Sequence, residues 1–451
     1  MSLSARGLIR FDVEDYLTPE SDDALLHMLG SMHKSGIPGS YGVVGKKANA
    51  LAEHGRKDVL TALAGEEALG FHSWSHSEHP TLAEDLASLD YEEGMARFIE
   101  REGPGVEAVA RQVKPPRYFT QPGGNWVPEA LEALPRVGIG TYFTDSFNSY
   151  VVDLPGPYWL GEVLLFSFPV VNPRPFGLGL PGNLNQALAL VEERQDAAGD
   201  FMVMVHPTEL VTREFWDAVN FFKGRTRNPV IPAPLRAKQE QIEAMRSFEK
   251  YLQEISHFDL EWCDSETLRG KVEPRRSILA ARSEILAAVQ GQGWGPMALQ
   301  DGFLSAAEAL YGLAKSINLP ASAQIPIGYV GAPRRWEASE KLWPPYGSDQ
   351  LFRAAEWVVR SVEREGRLPT DEPERGLTLQ RTMRSLTGPR ADVPLAFLAY
   401  IKAPELLHWD WPIFPEEFRP WRLWKDARRL AWTLKPAAER GMRHNDMWEG
   451  R

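Results

Sequence analysis

The sequence predicts an α/β fold followed by a C-terminal α-helical domain, and three observations carry that expectation. From Gly7 to about residue 265, short apolar strands alternate with amphipathic helices, the pattern of a β/α barrel or an open parallel sheet. Carboxylates and histidines fall at the ends of those strands, where such folds place their sites. Past Pro274 the alternation gives way to helices and proline-rich connectors. The chain has 451 residues, 43% of them apolar, enough for one large core and a smaller one.

Each element has its own signal. Gly7-Leu-Ile-Arg-Phe-Asp-Val-Glu-Asp15 reads as a strand ending in carboxylates, and Asp22 to Ser35 has helical periodicity that stops at Gly36-Ile-Pro38. A strand at Tyr41-Gly-Val-Val-Gly45, a helix over about 48–63 and a third strand end at Phe71 follow. Arg117 to Trp126 is the next segment, then a helix over 128–137 and strands at Thr141-Tyr-Phe-Thr-Asp-Ser146 and Leu164-Leu-Phe-Ser-Phe-Pro169. A helix of about four turns starts at Asn183. Phe201-Met-Val-Met-Val205 is a buried parallel strand delivering His206 at its end. A long loop over 208–234, a helix over 236–255 and a last strand at Phe258-Asp-Leu-Glu-Trp262 complete the barrel unit, 1–270.

The helical unit, 275–390, contains an internal repeat. Ala281, Ile285, Val289, Gly293, Pro296, Leu304 and Ser305 match Ala354, Val358, Val362, Gly366, Pro369, Leu377 and Thr378 at a constant offset of 73. Each copy reads as a helix, a Gly-x-x-Pro turn and a second helix opened by Ser or Thr as N-cap. It is a candidate cap on the barrel or a homo-oligomer interface. Residues 391–451 form a Trp-rich extension.

Composition excludes several classes. A net charge of −11 disfavours nucleic acid or an anionic membrane as partner. A single cysteine, Cys263, rules out disulfides within the chain and thiolate metal clusters. No apolar run reaches membrane-spanning length, and Met1 to Arg6 lacks the features of a signal peptide, so a cytoplasmic location is expected.

The chemistry centres on Gly70-Phe71-His72-Ser73-Trp74-Ser75-His76-Ser77-Glu78-His79, with three of the ten histidines inside eight residues. His72 and His76, four apart, present two imidazoles to one side of a helical turn or tight loop. With one carboxylate they make a site for a divalent ion, Zn²⁺ first and Co²⁺ or Ni²⁺ as alternatives. Asp12 and Glu14 share a strand face, and Asp15 joins them if the strand breaks early, as Tyr16-Leu-Thr-Pro19 suggests; that tilts the ligand choice towards Asp15. A second carboxylate there can serve as general base, and His206 can protonate a leaving amine.

In order and setting these segments resemble the polysaccharide deacetylases with NodB homology, a carbohydrate esterase family 4-like superfamily, over about residues 7–265. Phe11-Asp12-Val-Glu-Asp15, His72-Ser-Trp-Ser-His76, Phe119-Thr-Gln-Pro-Gly-Gly124, Tyr142-Phe-Thr-Asp145 and Val205-His206-Pro207 resemble its five motifs, and Gly36 to Gly45 resembles its second strand. The resemblance implies a distorted barrel of about seven strands, Asp12 as catalytic base, His206 as catalytic acid, and metal ligands His72, His76 and either Glu14 or Asp15. The sequence departs from the pattern at Thr120, which stands where the third motif has an arginine; Arg117 lies three residues upstream. Candidate substrate contacts are Trp74, Trp126, Asp145, Trp216 and Asn220. The expected activity is N-deacetylation of an acetylated sugar or polysaccharide. The alternatives are hydrolysis of a small cyclic amide, as in allantoinase-like members, and a catalytically degenerate protein that binds glycans or a partner. The 73-residue repeat faintly resembles pseudomurein-binding repeats.

Overall fold

The computed structural model describes residues 5–145, 157–171, 182–196, 200–336, 344–388 and 411–439. Ten strands build the main sheet before residue 270: β1 (Arg6–Val13), β2 (Gly39–Val43), β3 (Ala68–Phe71), β4 (Tyr118–Phe119), β5 (Thr141–Asp145), β6 (Tyr158–Leu160), β7 (Val163–Phe168), β8 (Val170–Val171), β9 (Phe201–Val205) and β10 (Glu261–Cys263). Their order is β6-β7-β5-β4-β3-β2-β1-β9-β8. β10 runs beside the first half of β1 and β2 beside its second half. All these pairings are parallel except β6 with β7. The sheet curls into a distorted half-barrel wrapped by helices, the fold class expected from the sequence.

Alternation along β1 explains where the site lies. Ile9, Phe11 and Val13 face outward into the core shared with Leu25, Met28 and Phe248 of the helices. Even-numbered residues face the concave side. There Leu8 meets Tyr118, Phe143 and Met202 in an apolar floor, and the same face continues upward as Arg10, Asp12 and Glu14. Neighbouring strands repeat this gradient, and β9 runs from Met202 through Met204 to His206. Close packing inside demands small residues: a Cβ added to Gly42 would lie 3.0 Å from Thr120 Oγ1, and one on Gly70 far inside the Tyr118 ring.

Several boundaries differ from the sequence reading. The last strand of the unit begins at Glu261 rather than Phe258, because residues 256–260 are used in turns leaving the helix Lys238–Ile255. The long loop is partly helical, with a 3₁₀ turn at Pro207–Leu210 and a helix at Trp216–Phe221. A 22-residue helix, Tyr91–Gln112, was not anticipated. It opens on a capping box of Asp90 and Glu93 and accommodates Pro104 in its interior.

Beyond residue 275 the helices are accompanied by two small sheets, which the sequence reading did not foresee. They pair β11 (Ile278–Ala281) with a later strand, β14 (Gln324–Ile327), and β12 (Met297–Leu299) with β13 (Gly302–Leu304). The helices Arg282–Gln292 and Ser348–Glu365 end at Gly293 and Gly366, with φ of 83° and 71°. The helices Ala306–Lys315 and Leu379–Thr387 are capped by Ser305 and Thr378, whose hydroxyls accept from the Glu308 and Arg381 amides. Both sets of positions keep the 73-residue offset.

The chain then returns to the barrel. Arg422, on the helix Trp421–Ala427, pairs with buried Glu129 at 2.6 Å. β15 (Lys435–Pro436) adds antiparallel to β6 at the sheet edge. Buried Glu308 lies between Lys435, at 3.0 Å, and Arg275, at 2.6 Å. No helix among the described residues is long and apolar enough to cross a membrane.

Candidate metal centre and active site

Four strand ends converge. Glu14 follows β1, His72 and His76 follow β3, Thr120 follows β4 and His206 follows β9. The histidine segment is not helical but bends into a turn closed by the Glu78 amide on the Ser75 carbonyl, and Ser73 and His76 hold left-handed φ of 67° and 56°. Non-glycine residues adopt that region at a cost, and here it turns the two imidazoles towards each other, centroids 5.2 Å apart. The Ser73 hydroxyl accepts from the His76 amide at 3.0 Å, and Glu102 of the Tyr91–Gln112 helix accepts from the Trp74 amide at 2.7 Å.

Hydrogen bonds define the tautomers. His72 Nδ1 lies 3.0 Å from the Thr120 carbonyl oxygen, which can only accept, so Nδ1 carries the proton. Ser77 donates to Asp217 at 2.9 Å, so its oxygen is left to accept from His76 Nδ1 at 2.5 Å. In the neutral rings both Nε2 atoms therefore present lone pairs, and both face one carboxylate oxygen: Glu14 Oε2 lies 3.3 Å from His72 and 2.8 Å from His76. Trp216 Nε1 donates to the other oxygen, Glu14 Oε1, at 2.8 Å.

Three such acceptors in a buried space repel one another unless a proton or a metal ion lies between them. Without an ion, burial opposes charge on the His76 imidazole, but Glu14 outweighs that and pushes it up. His72 Nε2 is buried without a hydrogen-bond partner, as is Asp12 Oδ1 next to it. The donor set of two neutral imidazoles and a carboxylate, each braced from behind, suits a divalent ion. These residues fit such an ion.

Glu14, and not the favoured Asp15, is the carboxylate that faces the histidines. Asp15 Oδ1 accepts from the Leu17 and Thr18 amides at 3.0 and 2.9 Å, and Oδ2 from the Thr208 hydroxyl at 2.6 Å. Its backbone carbonyl accepts from buried Lys47, which also pairs with Asp22. The strand pairing ends at Val13, but the chain stays extended enough for Glu14 to keep the face of Asp12, while Asp15 closes the turn behind them.

Asp12 stands beside this set, 3.9 Å from His72 Nε2 and 3.5 Å from His206 Nε2. Arg10 Nη2 donates to Asp12 Oδ2 at 2.8 Å. Burial alone would raise the Asp12 carboxyl, but Arg10, with His72 and His206, holds it well below the usual carboxylate range. Glu14 is held low in the same way, burial being outweighed by His76 and His206. His206 is pushed well above its ordinary value: burial opposes its charge, and Glu14, Asp12 and Glu209 overcome that. His206 Nδ1 lies 3.7 Å from Glu209 Oε2, and Phe215 meets the ring edge-on at 5.1 Å. The neighbouring charges thus favour the ionised form of Asp12 and the protonated form of His206.

The residues expected to touch substrate differ in their surroundings. Trp216 is fully buried against Glu14 and His76. Asn220 clamps its own loop through the Trp216 and Ile231 carbonyls and the Ile231 amide. Trp74 is half-buried and packs on Gly45, where an added Cβ would collide with its ring, and Trp126 is buried in the outer core. Asp145 ends β5, and its side chain lies outside the described residues. Arg117 is largely exposed and pairs with Glu266 at 3.3 Å, away from Asp12. Sequence reasoning missed Arg10, Ser77, Glu102, Glu209 and Asp217. Of these only Arg10 was signalled, by its i−2 spacing from Asp12 on one strand.

No family model matches the chain, and no curated protein matches it. Among solved structures it is similar to a peptidoglycan N-acetylglucosamine deacetylase, Bc1960, at 10% identity and TM-score 0.35, over 59% of this chain and 89% of that one. It is also similar to the peptidoglycan deacetylase PdaC from Bacillus subtilis, at 12% identity and TM-score 0.32, over 60% and 92%. A 4-alpha-glucanotransferase from Thermococcus litoralis is matched at 11% identity and TM-score 0.41, over 60% of this chain and 41% of that one. In fold, the chain is similar to the polysaccharide and peptidoglycan deacetylases.

Proposed function

We propose that this chain is a metal-dependent hydrolase of amide C–N bonds that removes the acetyl group from an N-acetylated sugar. One observation carries the reading: two imidazole Nε2 lone pairs aim at a single Glu14 oxygen, with Asp12 and His206 beside them. His72, His76 and Glu14 would hold the ion, Zn²⁺ being the best match to two nitrogens and one oxygen. When bound, such an ion polarises an amide carbonyl and lowers the pKa of water.

The remaining work falls to this chain's side chains. Asp12, ionised and fixed by Arg10, takes a proton from the attacking water. His206, protonated and flanked by Glu209 and Asp12, gives a proton to the departing amine nitrogen as the C–N bond breaks. Acetate and a free amine result. Trp216 and Thr120 orient the ligand groups without taking part. The test is metal content and acetate release together. Zinc- or cobalt-loaded wild type should release acetate from N-acetylglucosamine compounds, and the double variant His72→Ala, His76→Ala should do neither. A wild-type protein that stays metal-free after loading removes the proposal.

A further inference from the structure

The stretch that begins at Trp411 is built onto the site's rim. The Trp411 ring meets His76 edge-on, centroids 5.8 Å apart, and Trp216 lies 5.3 Å from the same imidazole. The same indole lies on Gly123, past the end of β4, where an added Cβ would be 2.5 Å from Trp411 Cε2. The strap that follows is seated on the loop after Phe221. The Lys223 and Gly224 amides donate to the Pro412 and Ile413 carbonyls at 3.0 and 2.7 Å. Gly224 makes room for Pro415, Lys223 pairs with Glu416, and Ile413 is buried with Trp216 and Phe221. Two glycine seats, two backbone hydrogen bonds, an ion pair and a shared apolar cluster make this a built contact.

Its position bears on substrate size. A sugar inside a polymer has a neighbour at each end, so a site acting mid-chain must be open on two sides. Here one rim, from the histidine turn to the loop after β4, is bridged by an indole. The reacting side chains Asp12, His72, His76 and His206 are all at most 8% exposed. Resting on the hydrolase reading above, we infer that Trp411 is a specificity-determining residue that confines the site to a compact amide: a free N-acylamino sugar, a chain end or a similarly small amide, and not the interior of a glycan. The strap belongs to the C-terminal extension, so that extension supplies part of the site's wall.

The test uses cobalt-loaded full-length protein and reads the visible absorption of Co²⁺, independently of turnover. The two probes are acetohydroxamate and a hydroxamate carried on the central sugar of a chitopentaose. Wild type should bind acetohydroxamate and reject the mid-chain probe. Trp411→Ala should bind the mid-chain probe at least tenfold more tightly than wild type does, with acetohydroxamate affinity unchanged within about threefold, while Trp411→Phe should keep the discrimination. The cobalt spectrum and a thermal melt establish that each variant is folded. Wild type binding both probes equally, or a cobalt-holding Trp411→Ala with unchanged discrimination, overturns the inference and leaves the hydrolase reading standing. Wild type that takes up no cobalt overturns both.

Discussion

Arg10 and Asp12 sit two residues apart on one face of β1, and their side chains meet at 2.8 Å with only 3% of each residue exposed. The guanidinium that fixes Asp12 thus comes from the same strand. Thr120, at the position where a third-motif arginine is expected, instead accepts a hydrogen bond from His72 Nδ1 on its carbonyl oxygen. On the proposed mechanism, Arg10 orients the base in place of the third-motif arginine.

Replacing Arg10 by Met should therefore leave metal content intact and lower kcat about 100-fold or more, with KM changed little. Loss of one partner from a buried ion pair should also cost about 3–5 kcal/mol of stability, measured by urea unfolding. Arg117→Ala, on an exposed pair, should change neither quantity by more than about 1 kcal/mol equivalent. Equal effects from the two substitutions would dismiss Arg10 as a positioning residue.

Glu14 and Asp15 separate by experiment. Glu14→Gln should abolish tight Zn²⁺ binding, because it removes the carboxylate charge both imidazoles face. Asp15→Asn should keep the metal and lower thermal stability, since Asp15 accepts three hydrogen bonds in the turn. Competition with a chromogenic chelator reads the first effect and a thermal melt the second; the reverse pattern would restore Asp15 as ligand.

The Asp217–Ser77–His76 relay predicts a graded loss. Ser77→Ala should weaken zinc about 10–100-fold without unfolding the protein, since outer partners orient a metal-binding imidazole and raise its basicity. Burial pushes Asp217 up to about 6 despite His76 beside it, so zinc affinity should fall further below that pH than competition at the histidines alone requires. Zinc titrations of wild type and Asp217→Asn across pH 5–8 would check this, the variant showing the shallower dependence.

Glu102, which holds the histidine turn from behind, gives a stability signature. Burial pushes its carboxyl from 4.5 up to about 7 even with Arg101 nearby. The folded state then binds a proton more tightly than the unfolded one, so this contribution is full below about pH 4.5 and is lost as pH rises through about 7. At about 1.4 kcal/mol per pH unit the change is on the order of 3 kcal/mol. Glu102→Gln should flatten the decline in metal-free protein between pH 5 and 8. An unchanged slope in urea unfolding would contradict the assignment.

Much of this architecture can be read from residues alone, because the signals are local. Apolar runs ending in Asp12, Phe71 and His206 carry their own direction, and even spacing puts Asp12 and Glu14 on one side. The helix start at Ser305 and its counterpart at Thr378 are equally local. The choice between Glu14 and Asp15 is not, since it depends on Thr208, 193 residues away, which occupies Asp15. The partners of His76 likewise come from 140 residues downstream through Ser77, and aromatic content alone does not reveal which face a ring such as Trp216 turns to a core. Pro104 inside the Tyr91–Gln112 helix weakened the signal for the longest element of the barrel.

Arg6 at the start of β1 pairs with Glu439, 433 residues later, at 2.7 Å, and β15 beside it completes the sheet edge at β6. During synthesis from the N-terminus, neither the β15–β6 pairing nor the Trp411–His76 contact can form until this late stretch emerges. An unpaired edge is a template for strands of other chains. Removal of the chain from residue 411 onward should accordingly leave a barrel that keeps its ion-binding side chains yet self-associates more readily than the full chain, so one stretch would serve both the site and the sheet edge.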